Sequence, residues 1–146
     1  DGRNATPLVV DSRHDVAILS VPGLSAPVLH VTDTPPRDTA AAIVGFPLNG
    51  ERTTTPAAVA GSVTAMSRGL YGGATYLRTL LVLTTSVEPG NSGSPVLVNG
   101  KVIGMIVSRS TSQSTTAYAI ETSVLAADLA AVHPHQSVGT GACFNG

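Results

Sequence analysis

The stretch Gly90-Asn91-Ser92-Gly93-Ser94-Pro95 organises the chain, because it joins two long runs of strand-forming residues at 76–87 and 96–108. A serine held between small residues on a tight turn is what an exposed nucleophile requires. Gly90 has no Cβ, so its N–H can approach a reacting carbonyl, and it adopts φ > 0 at little cost. If Ser92 is a nucleophile, its own N–H and that of Gly90 can stabilise a tetrahedral oxyanion. The alternative is a β-turn that is merely rich in glycine and serine.

The composition favours compact β structure. The chain has 146 residues, of which 42% are hydrophobic and only 3% aromatic, so branched aliphatic side chains must fill the core. The length suits one domain or two small barrels that share an interface. The formal net charge is −1 and there is no basic run, so we expect no nucleic-acid partner.

Alternating and continuous apolar runs predict eight strands and one helix. The strands are expected at 5–10, 15–21, 40–46, 53–65, 76–87, 96–98, 102–108 and 115–120. The second strand has apolar residues on both faces, so we expect it to be buried on both sides. Asn99-Gly100 is the strongest hairpin signal, since both residues accept φ > 0. A helical period predicts the helix at 121–132, capped by Thr122 or Ser123 and ended by Pro134.

A second informative stretch is found at residues 13–19, which read Arg-His-Asp-Val-Ala-Ile-Leu. It is interpreted together with the Ser92 stretch. In this order, the two segments resemble those of trypsin-like serine proteases, especially the bacterial branch in which asparagine precedes the serine. In that family an aspartate begins a buried strand at the seam between two barrels. The strand at 102–108 resembles the one that pairs with the substrate backbone. The resemblance covers nearly the whole chain.

The resemblance implies an all-β fold, the double β-barrel of the chymotrypsin type. Residues 1–21 would be the last strands of the first barrel, 22–38 a connector, 39–120 the second barrel, and 121–146 a C-terminal helix and tail. The implied activity is that of a serine endopeptidase acting on a peptide or protein. Ser92 would be the nucleophile, Asp15 would orient a histidine, and the N–H groups of Gly90 and Ser92 would form the oxyanion hole. No metal or other cofactor is implied.

None of the chain's four histidines suits the role of general base. His14 is adjacent to Asp15, and successive side chains on a strand point to opposite faces. His30 lies in the proline-rich connector, and His133 and His135 follow the helix. We therefore expect the chain to begin partway through the first barrel. A segment that precedes residue 1, called here the upstream segment, would supply the histidine, and the chain alone would be inactive.

Cys143 is the single cysteine. It is either a lone thiol or the partner of a cysteine outside this chain, and the residues alone leave both possibilities open. The end of the chain, Val-Gly-Thr-Gly-Ala-Cys at 138–143, resembles that of the membrane-anchored, extracytoplasmic acid-resistance proteases of actinobacteria. This resemblance implies a periplasmic or cell-envelope location and a membrane anchor in the full-length protein. For an exported protein we predict a disulfide from Cys143 to the upstream segment.

Two further serines are candidate pocket residues by the same resemblance. Ser86 falls at the floor of the family's primary specificity pocket, where it offers no charge to a lysine or arginine. Ser108 could donate a hydrogen bond to Asp15, or it could be an ordinary strand hydroxyl. Two other functions stay open: a non-catalytic protease-like module that binds a peptide along a strand edge, and a structural β domain.

Overall fold

The computed structural model describes residues 2–69 and 74–141, and the following elements lie within them. The strands are β1 Thr6–Asp11, β2 Val16–Ser20, β3 Ala40–Gly45, β4 Thr53–Arg68, β5 Thr75–Thr84, β6 Pro95–Val98, β7 Lys101–Arg109 and β8 Thr116–Glu121. A 3₁₀ turn, Pro47–Asn49, follows β3, and the helix α1 spans Thr122–Ala130. This mostly β architecture, with a helix at its end, confirms the predicted fold class.

Strands β3 to β8 close into a six-stranded antiparallel barrel in the order β3-β4-β5-β8-β7-β6. The ring closes where β3 pairs with β6, at Ala42 with Leu97 and Ile43 with Val96. The core is aliphatic, as the composition predicts. Its largest fully buried side chains are Ile43, Leu81, Leu83, Ile103, Ile106, Ile120, Val59 and Val96. Because β7 lies in the middle of this packing, it is a rigid support for whatever is attached to it.

Strands β1 and β2 form a separate two-stranded sheet. Val16 is buried and clusters with Leu80 and Ile120. Leu19, however, is 53% exposed, and Ala17 is exposed too. The prediction that this strand is buried on both faces is therefore wrong for the described chain. The barrel covers one face of the sheet, and no described element covers the other.

Several boundaries differ from the predicted ones for identifiable reasons. Strand β2 begins at Val16, not at residue 15, because Asp15 has a left-handed φ of 61°. Strand β5 ends at Thr84, where the chain leaves the ladder towards the turn at Pro89. The Asn99-Gly100 hairpin turn is confirmed, with φ values of 50° and 74°.

The connector between the sheet and the barrel is hydrogen-bonded to the start of β7. The N–H of Thr32 donates to the carbonyl of Val102 at 2.9 Å, and the N–H of Val102 donates to the carbonyl of His30 at 2.8 Å. The helix α1, which follows β8 in the chain, contacts β7 and β8. None of the helices found in the described ranges is long and apolar enough to cross a membrane.

Candidate active site

The turn that carries Ser92, residues 88–94, continues the hydrogen-bond ladder of β7. The N–H of Gly93 donates to the carbonyl of Ile106 at 2.8 Å, and the N–H of Ile106 donates to the carbonyl of Ser94 at 2.9 Å. Within the turn, the N–H of Ser94 donates to the carbonyl of Asn91 at 3.0 Å. Ser92 is thereby held beside the buried middle of β7, with its own side chain exposed. A nucleophile needs this combination of fixed backbone and open side chain.

Gly90 is required at its position by both conformation and space. Its φ is 95°, a region that side chains with a Cβ rarely adopt. A Cβ placed there would lie 2.5 Å from the carbonyl oxygen of Phe46 and 3.0 Å from the nitrogen of Leu48. The N–H of Leu48 also donates to the carbonyl of Pro89 at 2.6 Å. The backbone after β3 therefore fixes the first half of the turn.

The second half of the turn rests on β3 itself. Asn91 is only 2% exposed, and Ser94 is also buried. Both side chains pack against Gly45, since a Cβ on Gly45 would collide with the hydroxyl oxygen of Ser94 and with Oδ1 of Asn91. Gly45 is thus a glycine because the turn occupies the space of its side chain.

Two backbone donors on this turn have no acceptor within the described part of the chain. Among the hydrogen bonds of residues 2–69 and 74–141, none has the N–H of Gly90 or the N–H of Ser92 as its donor. Backbone N–H groups that are buried are almost always paired, so free donors belong where water or a ligand can reach them. Both N–H groups, which are the predicted oxyanion donors, lie on the turn that exposes the Ser92 hydroxyl.

A cavity of about 220 Å³ opens beside Ser92. It is lined by Val87, Glu88, Pro89, Ser92, Ile106, Ser108 and Arg109. Arg109 Nη1 lies 3.6 Å from Glu88 Oε2 and 3.5 Å from the carbonyl oxygen of Val87, so the two charges in the lining face each other. Ser108, one of the two predicted pocket serines, is in this lining. Ser86 is not, and its hydroxyl donates to the carbonyl of Ser114 at 3.1 Å.

Asp15 ends the turn between β1 and β2, residues 11–15, and its side chain is exposed. In the described part of the chain no hydrogen bond joins Asp15 to Ser92 or Ser108. The two regions are nevertheless linked through packing, because Val16 and Val107 belong to one apolar cluster. Asp15 immediately precedes Val16 in the sequence, and Ser108 immediately follows Val107.

The structure shows where the histidines lie. The imidazole of His14 is held by Asp11, with 2.6 Å between Nδ1 and Oδ2. Within the described residues, the printed contacts of the His14 ring are to Asp11, and none is to Ser92 or Asp15. The side chains of His30, His133 and His135 are exposed on the connector and after the helix. Over the described ranges, no three histidine, cysteine or acidic side chains come together as metal ligands would.

Sequence reasoning missed three groups at or near the site. Arg109 and Glu88 line the cavity because of the register in which the barrel strands pair. The local sequence around either residue does not indicate that register. Asp11 carried a usable signal, since an aspartate followed by three polar residues is typical of a turn closed by its side chain. Cys143 lies outside the described residues.

Comparisons with known proteins agree with this geometry. A family model of the trypsin-like peptidase domain matches residues 1–105. Serine protease Rv3671c of Mycobacterium tuberculosis H37Rv is 33% identical over 144 residues, which are 97% of this chain and 36% of the relative. This chain therefore spans little more than a third of that relative's length.

The solved structures show the same relationship. The crystal structure of the active form of Rv3671c protease superposes with a TM-score of 0.90 at 31% identity, covering 97% of this chain and 63% of that one. Its inactive form gives a TM-score of 0.76 at 29% identity, covering 89% and 67%. Since the family match extends over well more than half of its length, the chain belongs to the trypsin-like peptidases.

Proposed function

We propose that this chain contributes the nucleophile, the oxyanion hole and the catalytic aspartate of a serine endopeptidase. One observation carries the proposal: the exposed Ser92 lies on a turn whose Ser92 and Gly90 N–H groups are free, beside a cavity that can receive a side chain. A binding module does not need two free donors next to a hydroxyl. A catalyst of acyl transfer does, because negative charge develops on the carbonyl oxygen in the transition state.

The proposed reaction proceeds through an acyl-enzyme. The Ser92 hydroxyl oxygen attacks the scissile carbonyl carbon while a histidine accepts the hydroxyl proton. The carbonyl oxygen takes up the electron pair and is held by the N–H groups of Gly90 and Ser92. When the tetrahedral intermediate collapses, the peptide nitrogen leaves with the proton from the histidine. Water then hydrolyses the ester on Ser92 by the same steps, and Asp15 orients the histidine throughout.

The histidine is proposed to come from the upstream segment. The exposed face of β2, with Leu19 and Ala17, supports this because a two-stranded sheet is marginal without a further layer.

The cavity lining favours an uncharged side chain before the scissile bond. Its walls at Val87, Pro89 and Ile106 are apolar, while Arg109 and Glu88 face each other. A lysine or arginine of the substrate would meet the Arg109 guanidinium without gaining a free carboxylate. The substrate is proposed to be a peptide or an exposed segment of a protein.

We also propose a disulfide between Cys143 and the upstream segment, in an extracytoplasmic protein whose membrane anchor lies outside this chain. Support comes from the tail that leads to Cys143. The N–H of Val138 donates to the carbonyl of Pro7 at 3.0 Å, so the tail runs along β1. An upstream segment that extends the same sheet would pass close to it.

For the full-length protein, mass spectrometry without reduction should find Cys143 linked to a peptide from the upstream segment. Closing so long a loop stabilises a fold by about 2–4 kcal/mol in the chain-entropy treatment, so reduction should also lower the thermal midpoint. If Cys143 is alkylated in the unreduced protein, the disulfide does not exist.

Labelling with a serine-reactive fluorophosphonate tests the proposed function directly. In the presence of the upstream segment, the probe should attach to Ser92, and Ser92→Ala should remove the label. Ser25→Ala is the matched control, since Ser25 is an exposed serine in the connector and its loss should leave labelling unchanged. A folded protein that binds peptides but is not labelled would instead be the non-catalytic module.

A further inference from the structure

We infer that Asp11 is a positioning residue for Asp15, an inference that rests on the proposed function. Asp11 is the last residue of β1, and its carboxylate makes three contacts within the turn. Oδ1 accepts the N–H of Arg13 at 2.8 Å and the N–H of His14 at 3.1 Å. Oδ2 lies 2.6 Å from Nδ1 of His14. One side chain thus closes the turn whose next residue is Asp15.

Asp15 depends on that turn because of its backbone conformation. Its φ of 61° is in the left-handed region, which is uncommon for a residue with a Cβ, and β2 begins at the following residue, Val16. If the turn relaxed to extended backbone, the Cβ of Asp15 would point in another direction. By accepting the N–H groups of the two preceding residues, Asp11 opposes that relaxation. It therefore sets the direction of a carboxylate that must meet a histidine from outside the chain.

The surroundings keep the Asp11 carboxyl charged and the turn in place. Burial works to raise its pKa, but the hydrogen bonds from His14 and Arg13 and the His14 charge outweigh burial and lower the pKa overall. Asp128 on α1 faces the same pair, and burial together with the Asp11 charge raises its pKa. On the other side, the Arg13 guanidinium lies 4.6 Å from the ring centre of Tyr76. The turn therefore lies near Asp128 of α1 on one side and contacts Tyr76 of β5 on the other.

The activity test uses the full-length protein and three variants. Asp11→Ala removes every contact of the carboxylate and should lower kcat by about 10–100-fold, the order expected when a catalytic group is misplaced by about 1 Å. KM should stay within about twofold, because Asp11 does not line the cavity beside Ser92. Asp11→Asn keeps an oxygen for the two N–H groups and should restore kcat to within about threefold of the parent. Asp33→Ala, at an exposed connector aspartate, should match the parent.

A second measurement does not depend on catalysis. The three-bond coupling between the amide and α protons of Asp15 reports its φ, and it should change in Asp11→Ala but not in Asp11→Asn. The inference is overturned if Asp11→Ala keeps the parent kcat, if only KM changes, or if the coupling stays the same. A parent protein without Ser92-dependent turnover overturns the proposed function instead, and the coupling alone then decides whether Asp11 sets the turn.

Discussion

Replacing Ser92 by alanine is expected to abolish peptidase activity and to leave the fold unchanged. The hydroxyl is exposed, and no described hydrogen bond uses it, so its removal opens no cavity and leaves no buried partner unsatisfied. When a serine, a histidine and an aspartate act as a unit, loss of the serine lowers kcat by on the order of 10⁶. The residual rate would come from the free donors of Gly90 and Ser92, which the substitution leaves in place.

The measurement is kcat for a peptide with an uncharged residue before the scissile bond, in the full-length protein. Circular dichroism and the thermal midpoint of Ser92→Ala should match those of the parent. Ser25→Ala controls for the loss of an exposed hydroxyl elsewhere. Activity of Ser92→Ala within tenfold of the parent would rule out Ser92 as the nucleophile.

The second large effect concerns the histidine: this chain without the upstream segment should show no sustained turnover. A general base must come within about 2.6–3.2 Å of the Ser92 hydroxyl oxygen in the competent complex. Asp11 holds His14, and within residues 2–69 and 74–141 no histidine makes a hydrogen bond to Ser92. The loss should therefore be comparable with that of Ser92→Ala.

Adding the upstream segment should restore turnover, and a version of that segment with its histidines changed to alanine should not. His133→Gln and His135→Gln in the complete protein are the matched controls, because both side chains are exposed after the helix. Their kcat should equal that of the parent. The proposal is wrong if the purified chain turns over substrate many times per site, or if one of these controls is inactive.

The barrel strands could be predicted because the sequence of each strand and turn shows a local pattern typical of that structure. In β5 the two most deeply buried residues, Leu81 and Leu83, lie two positions apart, and Asn99-Gly100 is a strong local signal for a hairpin turn. The β1–β2 sheet was less predictable. The apolar side chain of Leu19 predicts burial, but Leu19 is largely exposed. Whether a strand is buried depends on which other elements cover it, and the sequence of the strand does not contain that information.

The candidate site also has residues that could be predicted from local sequence and residues that could not. Ser92 and Gly90 could be found from sequence because a nucleophile turn is a local structure with strict needs for small residues. The environment of Arg109 could not, since β7 comes near Val87 and Glu88 only when β5, β8 and β7 pair in that order. The left-handed φ of Asp15 was missed because aspartate also occurs at ordinary strand ends. The contacts of Asp11 with Arg13 and His14 explain how the turn before Asp15 is held.

The packing of the Ser92 turn against Gly45 links chemistry to the order of folding. Strand β3 and the turn are far apart in the chain, and they meet only when β3 pairs with β6 to close the ring. Such long-range closure is slow, because a large loop must be ordered before the contact stabilises it. A chain still being synthesised, or one whose ring has reopened, lacks the support that β3 gives to this turn. If Ser92 is the nucleophile, as proposed, we expect hydrolytic activity to appear only with the final closure of the ring and to be lost when the ring opens.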